Sequence, residues 1–224
     1  MKMNFKPSVI FSFILLFAAL LQGCNPPVTV DKPANELTVK ISVADTTENP
    51  SDQKVPVFMQ FFVGGSYVKL ASTATLKCNG VTLNDQGVLG YAERVPMQQA
   101  GGTYSFVHSR AGVNTTVNVT IPARPVITSP AAGSSVPRTN NLTINYAAAN
   151  AASVYGSASD SSTGKTGTHQ PDNGTYTGLN VTDLNAGAGK VGIIREIETT
   201  HSGTGFLAAE SKYNSGNHVS INWA

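Results

Sequence analysis

The chain has 224 residues with 15 Lys+Arg, 13 Asp+Glu, 2 Cys, 21 Gly and 12 Pro, and only 12% of it is charged. A typical soluble domain carries about 25% charged residues, so long charged helices, coiled coils and acidic or basic tails are excluded. Glycine shows no triplet period and cysteine is scarce, which excludes collagen-like and disulfide-stapled scaffolds, and the length suffices for one or two domains with cores of their own.

Residues 1–24 read MKMNFKPSVIFSFILLFAALLQGC. Lys2 and Lys6 form a positive n-region, and Val9–Leu21 is apolar except for Ser12. That stretch suits the h-region of an export signal and falls short of the about 20 residues that a membrane span needs. It closes on Leu21-Gln22-Gly23-Cys24, which resembles the lipobox of bacterial lipoproteins. The resemblance implies lipid on the Cys24 thiol, cleavage between Gly23 and Cys24, and acylation (palmitate or a similar chain) of the new N-terminus. Two or more chains hold a protein stably at a membrane. In enteric lipoproteins an Asp after the lipidated cysteine favours the inner membrane. Asn25 stands there instead, which points to the outer membrane or cell surface. A plain secretory signal or an uncleaved anchor is the other reading.

Cleavage also removes Lys2 and Lys6 and leaves thirteen basic against thirteen acidic residues. Residues 34–122 hold six of each sign, and residues 125–224 hold five basic and six acidic. Neither half offers the basic surface that nucleic acid requires.

Residues 24–35 carry three prolines and little apolar content, which predicts a stiffened tether of roughly 35 Å at about 3.1 Å per residue. Beyond it, alternation with period two replaces any helical period. Leu37, Val39, Ile41 and Val43 share one face of a strand over Glu36–Val43. Val55–Val63 is a denser apolar run that suits the centre of a sheet. Strands are expected near Tyr67–Ala71, Ala74–Cys78 and Val88–Val95. A hairpin follows, Thr103–Ser109 and Val113–Ile121, turning at Arg110-Ala111-Gly112. Pro122 and Pro125 mark a boundary and predict two units end to end with little hinge motion. The second half reads as strands near Val126–Pro130, Leu142–Tyr146, Val154–Ser157, Tyr176–Val181, Lys190–Thr199 and His218–Ala224. Arg195 interrupts the apolar face of Val191, Ile193 and Ile197. The last strand carries Trp223, the single tryptophan, and is expected to dock in the core.

Short strands with regular turns indicate a β-sandwich. Residues 36–224 resemble tandem immunoglobulin-like or fibronectin-III-like modules. Gly102-Thr103-Tyr104-Ser105-Phe106 is similar to the Gly-x-Tyr-x-Cys stretch of an immunoglobulin strand F, with Tyr104 as a tyrosine corner. Phe106 stands where the second disulfide cysteine of that family would be, so the resemblance implies no such disulfide here.

Cys78 alternates with Leu76, which predicts a buried thiol, with an intermolecular disulfide as the other reading. His108, His169, His201 and His218 have no partner at metal-ligand spacing. Asn185–Lys190 has the look of a phosphate loop but lacks its four-residue gap and its helix, and reads as a β-turn. The loop Ser157–Gly174 holds Asp160, Asp172 and Asn173. These are oxygen donors at a spacing that matches no calcium loop, on a segment suited to end-loop recognition. Asn-x-Ser/Thr triplets at Asn114, Asn118, Asn141, Asn173 and Asn180 read as solvent-facing residues.

The sequence thus predicts an all-β chain with these parts: signal peptide 1–23, tether 24–35, β-sandwich 36–122, linker 123–125 and β-sandwich 126–224. The expected role is that of a non-catalytic, lipid-anchored envelope protein without cofactor or metal, used for display, spacing or binding. Its partners would be the membrane, through Cys24, and a protein or carbohydrate at the loops. The alternative is a carbohydrate-binding or adhesin module. Tyr155, Tyr176 and Tyr213 discriminate between them: clustered on an exposed face they favour sugar stacking, and in the core they favour a spacer.

Overall fold

A computed structural model describes residues 28–45, 53–98, 102–121, 124–149 and 153–224. Gly23 and Cys24 lie outside the described residues, as does the predicted signal peptide.

The first half supplies β1 (Val28–Val30), β2 (Thr38–Asp45), β3 (Lys54–Val63), β4 (Ser66–Leu70), β5 (Ala74–Cys78), β6 (Val81–Thr82), β7 (Asn84–Asp85), β8 (Tyr91–Pro96), β9 (Thr103–Arg110) and β10 (Val113–Thr120). The second half supplies β11 (Ile127–Ser129), β12 (Ser135–Val136), β13 (Leu142–Tyr146), β14 (Ser153–Ser159), β15 (Gly164–Thr166), β16 (Thr175–Leu179), β17 (Gly187–His201) and β18 (Ala208–Trp223). Only two short 3-10 turns accompany these strands among the described residues, so the chain is all-β.

The period-two faces pack as the sequence predicts. Leu37, Val39, Ile41 and Val43 are all buried, and β3 sits at a sheet centre with Val55, Val57, Met59 and Phe61 inward. The β9–β10 hairpin pairs Arg110 with Val113, so its turn is the two residues Ala111 and Gly112, at φ 49 and 77. Positive φ at both positions gives the turn a twist that matches the strands it joins.

The strands form two sandwiches that share one layer. An eleven-stranded sheet runs β1-β4-β3-β2-β18-β17-β14-β15, with β7, β8 and β12 attached at its sides. The four-stranded sheet β10-β9-β5-β6 covers its first portion, and the three-stranded sheet β11-β13-β16 covers its second. One apolar core gathers Val39, Met59, Phe61, Tyr104 and Phe106. The other gathers Ile144, Tyr176, Val191, Ile193 and Trp223. Trp223 is buried, and its indole N–H donates to the Ser159 carbonyl at 3.0 Å, so the last strand is docked as expected.

Two features depart from the sequence reading. Some of the expected tether is folded: β1 pairs in parallel with β4, and Asp31 accepts hydrogen bonds from Arg110 (2.6 Å) and Thr73 (3.1 Å). Val28-Thr29-Val30 is a short alternating segment, and the open edge of β4 gives its backbone partners that water would otherwise supply.

The second departure concerns the junction. The sequence places a short strand at His218–Ala224 and everything after Val126 in the second unit. Instead β17 and β18 form a hairpin paired from Gly187–Trp223 to His201–Ala209. Its far half leaves the second core and pairs in parallel with β2, from Ala208–Thr38 to Ser215–Asp45. Ala209, Tyr213 and Phe206 thereby belong to the first core. The inward residues Ala209, Ser211, Tyr213 and Ser215 are mostly small or polar, so this half lacks the apolar stripe by which a strand announces itself.

The linker is tied to the same place. Arg124 Nε donates to the Asp45 carboxylate at 2.9 Å, Arg124 also ion-pairs with Asp45 through its terminal nitrogen, and the Tyr213 hydroxyl donates to Asp45 at 2.8 Å. Asp45 is 1% exposed, so its charge is balanced by the linker on one side and the hairpin on the other. Burial, then the Asp45 carboxylate, pushes the Tyr213 hydroxyl far above the ordinary tyrosine range. Tyr213→Phe is expected to cost about 1.5–3 kcal/mol, the range for hydrogen bonds to charged groups. Urea unfolding should read this as a lower midpoint at an unchanged slope.

Candidate functional site

Cys78 is fully buried and pairs in register with Phe106 of the adjacent strand β9. It therefore lies beside Phe106 within one sheet and not across the sandwich. Burial pushes its thiol up to about 12. A thiol held so far from ionisation is neither a nucleophile nor open to a second chain. Cys78 is expected to resist an aromatic disulfide reagent at neutral pH in the folded protein and to react in urea. Tyr104 is buried, and its hydroxyl accepts from the Gln98 amide at 3.1 Å.

The histidines go to separate places. His108 is buried on β9, His169 stacks on Tyr155 at 5.2 Å, His201 meets Ser211 at 2.7 Å and His218 meets Ser157 at 3.2 Å. No group of three His, Cys, Asp or Glu side chains suited to a metal occurs among the described residues.

The oxygen donors of Ser157–Gly174 are likewise dispersed. Asp160 accepts from the amides of Asn185, Ser162 and Thr163, which hold its carboxyl far below the usual range and close the turn before β17. Asn173 caps the amide of Thr175 at 3.1 Å. Asp172 is buried and takes a two-point contact from Arg195, at 2.7 and 3.3 Å, while Arg195 also donates to the Ala147 carbonyl at 2.9 Å. Both side chains are 0% exposed. The interruption in the β17 face is thus half of a buried ion pair, so these three residues do not converge on a cation.

Breaking such a pair strands a charge. Arg195→Met is expected to cost about 3–5 kcal/mol, and the double variant Arg195→Met with Asp172→Leu to recover much of it. Equilibrium urea unfolding of the three proteins measures both effects.

The β-turn expected over Asn185–Lys190 is mostly strand instead: Gly187–Lys190 open β17 and pair with Ser220–Trp223, which leaves only Asn185 and Ala186 outside it. Packing accounts for one of its glycines. A Cβ on Gly189 would overlap the indole of Trp223. The five Asn-x-Ser/Thr asparagines are all exposed: Asn114 and Asn118 on β10, the others at turns where they accept backbone amides.

An open groove of ≈ 440 Å³ lies at the edge strand β15, between Lys165–Thr168 on one side and Gly178, Leu179, Asn180, Thr182 and Asp183 on the other. Lys165 and Asp183, which form an ion pair, line it together with Thr166, Thr168, Asn180 and Thr182. It lies partly in the loop where end-loop recognition was expected. The three tyrosines reserved for sugar stacking are elsewhere: Tyr155 is 3% exposed, Tyr176 1% and Tyr213 2%.

Sequence reading did not single out Asp45 or Arg124, and it named Tyr213 only as a residue to be found in the core or on a face, not as one that joins the two halves. The signals were present: an arginine held between two linker prolines, and a tyrosine within a polar run.

No family model matches the chain, and no curated protein matches it. Among solved structures it is similar to fibronectin(III)-like modules of Clostridium thermocellum CbhA, 13% identical, covering 88% of this chain and 90% of that one at a TM-score of 0.28. It is similar to a chimeric titin Z1Z2 tandem, 13% identical over 87% and 98% at 0.24. It is also similar to domains 4 and 5 of the S-layer protein SbsC, 18% identical over 76% and 82% at 0.21. At such scores none of the three bears on ligand or role.

Proposed function

We propose that this is a non-catalytic, lipid-anchored cell-envelope protein whose two β-sandwich modules act as one stiff spacer, holding their far end away from the membrane. Cys24 carries the lipid, and the outer membrane or cell surface is its station. The observation that supports this reading is the sharing of β18 by both modules, pairing β2 in the first half and β12 in the second. A spacer needs resistance to bending at its joint. A hydrogen-bonded ladder through the joint supplies it, where a bare linker would leave the domain motion usual for small interfaces. Burial of Tyr155, Tyr176 and Tyr213 favours the spacer over a sugar-stacking module.

Two measurements test the two halves of the reading. Cys24→Ala is expected to move the protein from the detergent phase to the soluble fraction, and retention in detergent would overturn the anchor. Spin labels at Thr116 and Thr182, both exposed, are expected to give a single narrow distance distribution. A broad one would overturn the stiff spacer.

A further inference from the structure

His108 sits in an apolar box. It is 2% exposed, and neither ring nitrogen has a hydrogen-bond partner among the described residues. Its ring centre lies 5.9 Å from that of Phe61 on β3 and 5.8 Å from that of Phe206, while Leu76 on β5 and Thr115 on β10 flank it in register. None of these four side chains ionises. The charge that reaches it is Arg110, on the same strand and engaged with Asp31, which opposes protonation. Burial, ahead of Arg110, holds the imidazole below its ordinary value. A neutral imidazole serves here as an aromatic filler; an imidazolium would need water or an acceptor.

Of the walls of this box, Phe206 is the one outside a strand. Residues 203–207 are bends at the tip of the β17–β18 hairpin. They are held by the Leu207 amide donating to the Leu37 carbonyl at 3.0 Å and the Phe206 amide to Thr204 Oγ1 at 3.4 Å. Phe206 is half-buried and Leu207 is 67% exposed. Water therefore reaches His108 at least cost by displacing this tip, since the other walls belong to ladders.

We propose that the hairpin tip, Ser202–Leu207, is an acid-released flap: protonation of His108 lifts Phe206 from the first core while both sandwiches stay folded, and bares an apolar patch around Phe61. The closed form excludes the proton, so closure is complete above the ordinary histidine pKa of about 6.5 and weakens as pH falls below it. His201 stands beside the tip, bonded to Ser211, and burial also holds it low, so the two histidines must be separated.

The test is hydrogen exchange on the full chain from pH 7.5 to 4.5, corrected for intrinsic rates. Protection of the Leu207 amide is expected to fall by up to about tenfold per pH unit below about 6.5, the limit for one linked proton. The Trp223 indole N–H, in the second core, should keep its protection. His108→Phe should abolish the pH dependence, and His201→Gln should preserve it. Constant Leu207 protection, an unchanged fall in His108→Phe, its loss in His201→Gln, or parallel loss at Trp223 would each overturn the flap. Should His108→Phe not fold, Phe206→Ala decides: removing the cover is expected to move the His108 titration up toward the ordinary value, and an unmoved titration overturns the proposal.

Discussion

Asp45 is a carboxylate at the end of β2 with almost no access to water, and the joining of the two halves depends on its being satisfied. A buried carboxylate without partners is costly. Here one partner comes from the linker, Arg124, and one from the far half of the terminal hairpin, Tyr213. Tyr213 reaches Asp45 because β18 runs alongside β2, and that parallel ladder makes two sandwiches share a layer. The arrangement also explains why the β17–β18 hairpin is so much longer than its neighbours: half of it serves a core to which the rest of its own unit does not belong.

The strands legible in the sequence were those with one wet and one dry face. Leu37–Val43, Val117–Ile121 and Leu142–Tyr146 each alternate cleanly, and in each the apolar residues of the dry face are buried. The far half of β18 did not announce itself. Its inward positions are filled by Ala209, Ser211 and Ser215 around a single Tyr213, so the period is present without the hydrophobicity that reveals it. β1, β6, β7, β12 and β15 are two or three residues long and exist because a neighbouring edge pairs them, a tertiary cause that no local pattern carries.

The candidate sites divide in a similar way. Cys78 was legible because its burial follows from alternation with Leu76. Asp160 and Asp172 share a polar loop in sequence, but one is spent closing a turn and the other balancing Arg195 inside the second core. Composition shows that carboxylates and an arginine are present; only the folded chain shows which of them are already paired. Arg195 in an apolar run was the visible half of that pair, and its partner, 23 residues earlier, was not deducible from spacing.

The direction of the β2–β18 ladder has a mechanical meaning. The two strands run parallel. Tension between the N-terminus and the second module would draw β2 out through Thr38 and β18 out through Ser215, at opposite ends of the ladder. That geometry is shear: the load spreads over all the backbone hydrogen bonds of the ladder at once, whereas strands peeled from a common end separate bond by bond. β1 and β4 are also parallel, so the first segment to feel a pull from the N-terminal side is gripped in the same sense.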